Sequence, residues 1–365
     1  MDYSVVVVTR NRLDALRLSL PLLVGQSRPP LEIIVVDSSD DPAPIRAIVA
    51  KVAGATDVPF EYIHSAPGMT LQRNVGLERV KGEVTLFPDD DSLLFPDTMQ
   101  HVMGIYERDT EGLIGGVCAI EMARPPVDIA GAASASYERE EKSGAGAISL
   151  RRRRRLKARF VSDPFAGLAA RKYAALRKPD WLQPEEGFLV GHMTGFRMSF
   201  RTELIRRLRF DEDLGRYALF EDVDASLRAL DSHCLVAARR ARVYHHKVPG
   251  KRDGERAFGA MHVLNRGYVV AKHQPLGARL TSETYLFCLY KILGYALGLN
   301  STVGRDRLGG AMAAYRQLPR LFRASPDEMT RVYLDLRARS VARAGDSPAA
   351  AEPVPAEPAS RALER

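Results

Sequence analysis

The chain has 365 residues, of which 45% are hydrophobic and 27% charged, which is enough to bury a large core and to form one α/β domain with an additional region. Its formal net charge of +8 favours an anionic partner, whether a nucleotide, an acidic lipid surface or a nucleic acid. The three cysteines lie far apart without a Cys-X-X-Cys pair, which argues against a disulfide framework or a zinc knuckle. No basic segment typical of a signal peptide precedes the first apolar run, so a cytoplasmic location is expected.

The first third of the chain alternates β-branched apolar runs with helical periodicity. Asn11 is predicted to cap the first helix. A strand, a helix and a strand at this spacing form a unit with parallel strands, and its repetition predicts a doubly wound α/β sheet. The predicted strands are 4–8, 32–36, 60–64, 83–87 and 113–120, and the predicted helices are 13–23, 44–52, 71–80 and 96–108.

The remainder of the chain divides into regions of different character. The periodicity weakens over 124–184, which we interpret as an irregular insertion. Regular patterns resume at Gly195, and an amphipathic helix is predicted to begin at Glu221. Two helical patterns then indicate a C-terminal helical region over 251–342, and the Ala-, Pro- and Glu-rich tail 343–365 is expected to be disordered. The main domain is therefore predicted to end near residue 250.

Polar side chains follow three of the predicted strands. In an open parallel sheet ligands bind beyond the carboxyl ends of the strands, so these side chains are expected to meet in one crevice. They are Thr9, Arg10 and Asn11 after the first strand, Asp37 after the second, and Asp89, Asp90 and Asp91 after the fourth.

The Asp89–Asp91 run is the strongest of these signals. Adjacent carboxylates repel one another unless a cation neutralises them, and Mg²⁺ and Mn²⁺ prefer oxygen ligands. A metal there could bridge a diphosphate. The alternative is a solvated acidic turn, which short motifs often are.

Three further groups have both a structural and a chemical interpretation. Glu221 and Asp222 either cap a helix or supply a general base for an acceptor hydroxyl. One of the histidines of the pair at 245 and 246 either is a buried core residue or binds a metal. Arg73 either lies on an exposed helical face or binds a phosphate oxygen.

Taken in order, these segments resemble the family-2 glycosyltransferases with a GT-A fold. The matching segments are SVVVVTRNR, IIVVDSSD, LQRNVGLERVKGEVTLFPDDD, GFRMSFR, FEDVD and VYHH, within residues 4 to 250. The resemblance implies a mixed GT-A sheet with a C-terminal helical appendage and an inverting transfer of sugar from a nucleotide-diphosphate donor. It also implies a role in the synthesis of a cell-surface polysaccharide or glycolipid.

The resemblance also assigns roles to individual residues. It implies that Asp222 is the catalytic base, assisted by Glu221, and that Asp91 and Asp89 hold Mg²⁺ or Mn²⁺ together with His245, with His246 as the alternative. The donor-binding residues that it implies are Thr9, Arg10, Asn11, Asp37, Arg73, Asn74, Asp89 and Asp90. The implied sugar and acceptor pocket comprises Gly195, Met198, Ser199 and Arg201, while the acceptor, a glycan or a lipid-linked molecule, is expected to be chosen by 124–184.

The segment 285–299 is apolar except for Lys291, yet it is shorter than the roughly 20 residues that a spanning helix needs. It is interpreted either as a buried helix or as an interfacial helix in peripheral contact with the inner membrane leaflet. The run Arg151–Arg155 is interpreted as a solvated loop, and no nucleic-acid partner is expected because aromatic residues are missing beside it.

Two other functions remain open at this point. A nucleotidyltransferase would also bind a nucleotide and a metal, but it should carry a Gly-rich loop where this chain has TRNRLD. A non-catalytic nucleotide-sugar-binding protein would have no need of Asp222.

Overall fold

A computed structural model describes residues 1–127, 161–215, 217–247, 254–273, 276–297 and 301–341. The Arg151–Arg155 run, most of the predicted insertion and the tail 343–365 lie outside the described residues.

Nine strands form a single mixed sheet within these ranges. In chain order they are β1 Tyr3–Thr9, β2 Glu32–Asp37, β3 Phe60–His64, β4 Val84–Phe87, β5 Ser92–Leu94, β6 Ile114–Glu121, β7 Gly187–Leu189, β8 Met198–Arg201 and β9 Cys234–His245. Their spatial order is β3-β2-β1-β4-β8-β6-β9-β5, and β7 pairs with β9 beside this path.

Helices pack on both faces of the sheet and continue beyond it. They are α1 Leu13–Val24, α2 Ala43–Ala53, α3 Met69–Leu77, α4 Thr98–Arg108, α5 Pro164–Tyr173, α6 Thr202–Leu208, α7 Glu221–Ala229, α8 Glu255–Ala271, α9 Ala278–Ala296, α10 Thr302–Arg323 and α11 Met329–Val341.

The sheet is parallel over β3, β2, β1 and β4, as the alternation of strands and helices predicts. All residues of β1 and β2 are buried, because helices cover both faces of this half. The other half is mixed, since β8 inserts antiparallel between β4 and β6. The α/β architecture with C-terminal helices is thus confirmed, and the polar ends of β1, β2 and β4 lie at one edge.

Two local predictions differ from the structure. Asn11 does not cap α1: it has a left-handed φ of 56°, its amide donates to Asp40, and Arg12 takes the N-cap position without a side-chain cap. The stretch predicted to be irregular contains α5, whose N-cap Asp163 accepts a hydrogen bond from the backbone N–H of Phe165. Asp163 followed by Pro164 is a helix-start signal that the weak apolar period conceals.

The C-terminal helices extend the core that lies on one face of the sheet. Helices α8 and α10 approach so closely that a Cβ on Gly310 would lie 1.9 Å from the carbonyl oxygen of Arg256. Helix α9 has two different faces, because it buries Phe287, Cys288 and Ile292 while Leu293 is 57% exposed. In the described part of the chain, no helix combines the length and the apolar character needed to cross a bilayer.

Candidate active site

The acidic run forms the turn between β4 and β5 and is placed beside a histidine by strand pairing. Strand β5 is antiparallel to β9, with Ser92 opposite His245. Because Asp91 immediately precedes Ser92, the end of β9 lies against the acidic turn. The backbone N–H of His246 adds a 3.0 Å hydrogen bond to the carbonyl of Asp91.

Three side chains at this turn could hold a metal ion. One ligand atom from each of Asp89, Asp91 and His245 lies within 4.8 Å of the others, and His245 Nε2 is 3.3 Å from Asp91 Oδ1. Two carboxylates and an imidazole suit Mn²⁺ and related divalent ions. The ring of Phe196 stacks on His245 at a centroid distance of 4.4 Å, which fixes the orientation of the imidazole. The donor set therefore fits the metal that the resemblance implies.

Arg12 also belongs to this turn, although the sequence motifs did not single it out. Its guanidinium lies 2.8 Å from Asp90 Oδ1 and 2.5 Å from Asp91 Oδ2. Thr9 donates a 2.7 Å hydrogen bond to the other oxygen of Asp90. Arg12 thus partly neutralises two of the three carboxylates. The only signal in the sequence is the second arginine of TRNR, directly after the strand end.

The three carboxyl groups differ in pKa. Burial raises the pKa of Asp90 to about 7, and the charge of Arg12 limits the increase. Burial also opposes ionisation of Asp91, but the hydrogen bond from His245 and the charges of His245 and Arg12 hold its pKa at about 2. Asp91 is therefore a carboxylate at neutral pH, as a metal ligand has to be.

A buried arginine connects the acidic turn to α7. Arg73 on α3 is fully buried, and its guanidinium lies 3.1 Å from Asp89 Oδ1 and 2.6 Å from Glu221 Oε1. Burial raises the pKa of Glu221, the neighbouring Asp222 adds to this, and the ion pair with Arg73 opposes it. Arg73 thus fixes the first residue of α7 relative to the carboxylates after β4.

The segment Gly195–Phe196 joins the two ends of the site. The backbone N–H of Gly195 donates a 2.9 Å hydrogen bond to Asp222 Oδ2, and the next residue, Phe196, stacks on His245. A Cβ on Gly195 would lie 3.1 Å from Glu221 Oε1, so the glycine permits this close approach. Asp222 and His245 therefore contact the same two-residue segment, and His245 in turn contacts Asp91 of the acidic turn.

The residues after β1 and β2 form a second polar group beside the turn. Asp37 is fully buried and accepts hydrogen bonds from Ser39 and from the hydroxyl of Tyr62, the latter at 2.8 Å. Arg10 and Asn11 both contact Asp40, at 3.0 and 2.8 Å. These contacts lie at the carboxyl edge of the sheet, where Arg10 and Asn11 are both exposed.

Four predicted site residues are used elsewhere. Asn74 donates to the carbonyl of Phe210 at 2.9 Å and accepts from its N–H at 2.9 Å, which ties α3 to the loop before α7. Met198 and Ser199 are fully buried inside β8, where Ser199 donates to Val117. Arg201 lies 2.9 Å from Asp109 at the other end of that strand. Of the predicted sugar and acceptor pocket, only Gly195 lies at the site, because β8 runs away from it into the sheet.

Comparison with known proteins agrees with this architecture. The sequence model of glycosyl transferase family 2 matches residues 4–204. The crystal structure of S. aureus TarS 1–349 is 15% identical, with a TM-score of 0.52, covering 92% of this chain and 90% of that one. The same figures apply to its complex with UDP-GlcNAc. The mannosyltransferase PcManGT from Pyrobaculum calidifontis, in complex with GDP-Man and Mn²⁺, is 19% identical with a TM-score of 0.49, covering 92% of this chain and 85% of its own.

No curated protein sequence matches the chain significantly. The family match nevertheless covers more than half of the chain, including the ends of β1, β2 and β4 that carry the polar residues. The chain therefore belongs to glycosyl transferase family 2 and has the GT-A fold.

Proposed function

We propose that the protein is a metal-dependent, inverting glycosyltransferase that moves a sugar from a nucleotide-diphosphate donor to an acceptor hydroxyl. The observation that carries the proposal is the segment Gly195–Phe196, which contacts Asp222 on one side and His245 on the other. The proposed base and a proposed metal ligand therefore lie on the two sides of one short segment, which supports the proposal. Family membership supports the same reaction.

The donor is proposed to lie along the carboxyl edge of the sheet. Its base and ribose would lie near Thr9, Arg10, Asn11 and Asp37, and its diphosphate would lie beside the acidic turn. Arg73 and Asp90 are assigned a supporting role, because both are buried and bonded to other side chains of the site. Asn74 is assigned to the structural contact with Phe210.

Asp89, Asp91 and His245 are proposed to hold Mg²⁺ or Mn²⁺. When bound, the divalent ion offsets the negative charge of the departing nucleoside diphosphate. Asp91 keeps its charge for this purpose, since its pKa is about 2. His245 is held in place by Phe196 and is the ligand contributed by β9.

Asp222 is proposed as the general base. It takes the proton of the acceptor hydroxyl while that oxygen attacks the anomeric carbon from the face opposite the diphosphate. The new carbon–oxygen bond forms as the bond to the diphosphate oxygen breaks, so the anomeric configuration inverts. Glu221 orients α7 through its ion pair with Arg73.

A binding screen tests the donor assignment. Nucleoside diphosphates and nucleotide sugars, each with Mn²⁺, Mg²⁺ or EDTA, should raise the melting temperature only where base and sugar fit, because a ligand that binds the native state stabilises it by mass action. Transfer from the best donor is then measured by release of nucleoside diphosphate. A protein that binds no nucleotide sugar with any metal, or that binds one and releases only nucleoside monophosphate, would contradict the proposal.

We further propose that the acceptor is glycan or lipid-linked and that the protein contacts the cytoplasmic face of the membrane peripherally. Along α9 and its C-cap residue a stripe of exposed apolar side chains follows helical spacing: Leu286, Leu289, Tyr290, Leu293 and Leu297. Arg279 lies two turns before Leu286 on the same face and is 90% exposed. Residues 278–323 contain seven Arg or Lys and two Asp or Glu, a balance that suits an anionic surface.

Liposome flotation tests this contact. The full chain should float with vesicles that contain anionic lipid, and Leu289→Gln/Leu293→Gln should reduce the bound fraction. Ser282→Gln, an exposed change on the same helix, serves as the control. Equal binding by all three proteins would contradict the membrane contact. In this scheme the domain 1–250 carries out the transfer and the region 251–342 delivers the acceptor.

A further inference from the structure

The turn that leads into α7 has an unusual backbone. Ala218 and Phe220 both have left-handed φ angles, of 47° and 77°, and neither is a glycine. Such conformations are costly for residues with a Cβ and persist where surrounding contacts impose them. Glu221 and Asp222 follow directly, so the contacts that hold this turn also set the position of the proposed base.

One face of α8 supplies such contacts. Asn265 is fully buried, and its Nδ2 donates a 3.1 Å hydrogen bond to the carbonyl oxygen of Leu219, the residue between the two left-handed positions. Its Oδ1 accepts a 2.8 Å hydrogen bond from the hydroxyl of Tyr333 on α11, which fixes the amide in this orientation. The Leu219 carbonyl is thus hydrogen-bonded to an amide whose orientation is fixed by Tyr333.

The neighbouring residue on α8, Arg266, contacts the side chain of Phe220 in the same turn. The guanidinium of Arg266 lies 4.6 Å from the ring centroid of Phe220 and 4.2 Å from those of Phe165 and Phe287. Its charge is balanced by Asp163 at 2.9 Å. Because Arg266 is only 4% exposed, this contact is shielded from water and from salt.

A third contact from the end of α8 reaches α7 itself. Lys272 lies 2.7 Å from Asp224 Oδ1, and Asp224 is fully buried within the first turn of α7. The carbonyl before the helix, the ring at its N-cap and a carboxylate in its first turn are therefore all held from one helix. All three contacts come from residues beyond the 4–204 range of the family match.

We propose that Asn265 is a positioning residue for Asp222, and that α8 is the element that holds the base in the active site. The inference rests on the proposed function, because it gives Asp222 the role of general base. Loss of the Asn265 amide frees the Leu219 carbonyl, and the turn relaxes toward right-handed φ. Asp222 then moves relative to Gly195, whereas Asp89, Asp91 and His245, which belong to other elements, stay in place.

The test compares Asn265→Ala with Thr330→Ala. Thr330 contacts Tyr268 at 3.1 Å in the same helical region without touching the turn, so it is a matched control. We expect Asn265→Ala to lower kcat about tenfold to 100-fold, the range that follows from a displacement of about 1 Å. The donor KM and the Mn²⁺-dependent thermal shift with donor should stay within twofold of the starting protein, and Thr330→Ala should change neither. An unchanged kcat in folded Asn265→Ala overturns the proposal. A donor KM that rises by the same factor as kcat falls overturns it as well.

Two further measurements keep the outcome decisive. If Asn265→Ala does not fold, Tyr333→Phe replaces it in the test, because this change removes only the hydroxyl that orients the Asn265 amide. The kcat of Tyr333→Phe should then fall while its donor KM stays unchanged. A kcat equal to that of the starting protein overturns the proposal. If the starting protein shows no transfer at all, the proposed function has failed and the positioning role is judged by hydrogen exchange. The amides of 219–224 should then exchange faster in Asn265→Ala than in Thr330→Ala, and equal exchange overturns it.

Discussion

Arg73 and Glu221 form an ion pair inside the protein: their side chains are 1% and 8% exposed, and Nη1 lies 2.6 Å from Oε1. The pair crosses from α3 to α7 and therefore links the donor side of the site to the proposed base. Desolvation is costly for both groups, so neither tolerates the loss of the other.

Removal of this arginine should destabilise the protein strongly. Arg73→Met leaves Glu221 buried and unpaired, which we expect to lower the free energy of unfolding by about 3–5 kcal/mol. The double variant Arg73→Met/Glu221→Gln should recover part of this loss, because the unpaired charge is gone. Chemical denaturation measures both. As a control, Arg207→Ala breaks an exposed ion pair with Glu203 and should lower the free energy of unfolding by about 0.5 kcal/mol or less. A loss this small for Arg73→Met would contradict the importance of the buried pair.

The proposed base is tested by Asp222→Asn. The amide cannot take the acceptor proton, so we expect transfer to fall by about 10²- to 10⁴-fold while donor binding stays nearly intact. Transfer is followed by release of nucleoside diphosphate, and donor affinity by calorimetric titration with Mn²⁺. Asp231→Asn, an exposed aspartate that pairs with Lys172, should leave both quantities unchanged. An equal loss of binding and transfer would refute the role of Asp222 as base.

The metal ligands are expected to act through donor binding instead. His245→Ala removes the nitrogen ligand and Asp91→Ala an oxygen ligand, so either change should abolish the extra thermal shift that Mn²⁺ gives to the donor. His101→Ala is the matched control, since His101 also pairs with an aspartate, Asp97, at 3.5 Å but away from the acidic turn. A Mn²⁺ effect that survives in Asp91→Ala would show that the metal binds elsewhere.

The sequence predicts the first half of the fold well because its information there is local. Buried β-branched runs specify β1, β2 and β4, and the polar residues directly after each strand must lie at one edge of a parallel sheet. The acidic turn is predicted for this reason, whereas the start of α7 at Glu221 is predicted from the apolar period of its helix. The helix cap was wrong, since Asn11 is bonded to a loop residue 29 positions away.

The rest depends on pairings between distant segments. No local pattern indicates that β8 inserts antiparallel between β4 and β6. Because of this insertion, Met198 and Ser199 are buried in the sheet and do not line the predicted pocket. The stacking of Phe196 on His245 also joins residues that are far apart in the chain. The contact of Asn265 with Leu219 has no sequence signature either, because it arises only after α8 packs.

A histidine in the C-terminal helices should make the protein sensitive to acid. Burial and the positive charges of Lys291, Arg266 and Arg307 lower the pKa of His262 to about 3. The unfolded chain binds a proton at this residue near its ordinary pKa of 6.5, whereas the folded protein resists it down to about pH 3. The unfolded state therefore binds more protons in this window, and the contribution of His262 to stability falls as pH falls from about 6.5.

His262→Gln removes the titrating imidazole, so a comparison of the two proteins measures how much His262 contributes to the pH dependence of stability. We expect the melting temperature of the starting protein to drop further between pH 7.5 and pH 5 than that of His262→Gln. The comparison between the two proteins matters, because the raised pKa of Asp90 contributes with the opposite sign in both. Identical drops would mean that His262 is protonated equally in the folded and unfolded states.

The contacts of Arg12 predict how the acidic turn responds to a metal. Its guanidinium lies 2.8 Å from Asp90 and 2.5 Å from Asp91, so Arg12→Met removes a positive charge from a cluster of three carboxylates. Without divalent ions, repulsion among the carboxylates should then lower the melting temperature of the variant. When Mn²⁺ replaces EDTA, the melting temperature of the variant should rise by more than that of the starting protein. The ion then neutralises the carboxylates in place of Arg12, and no guanidinium competes with it for Asp91. Arg10→Met, whose arginine contacts Asp40 outside the turn, should respond to Mn²⁺ like the starting protein. If Arg12→Met gained no more from Mn²⁺ than Arg10→Met, the guanidinium would not share Asp91 with the metal, and the two acidic ligand positions after β4, Asp89 and Asp91, would have to be reassigned.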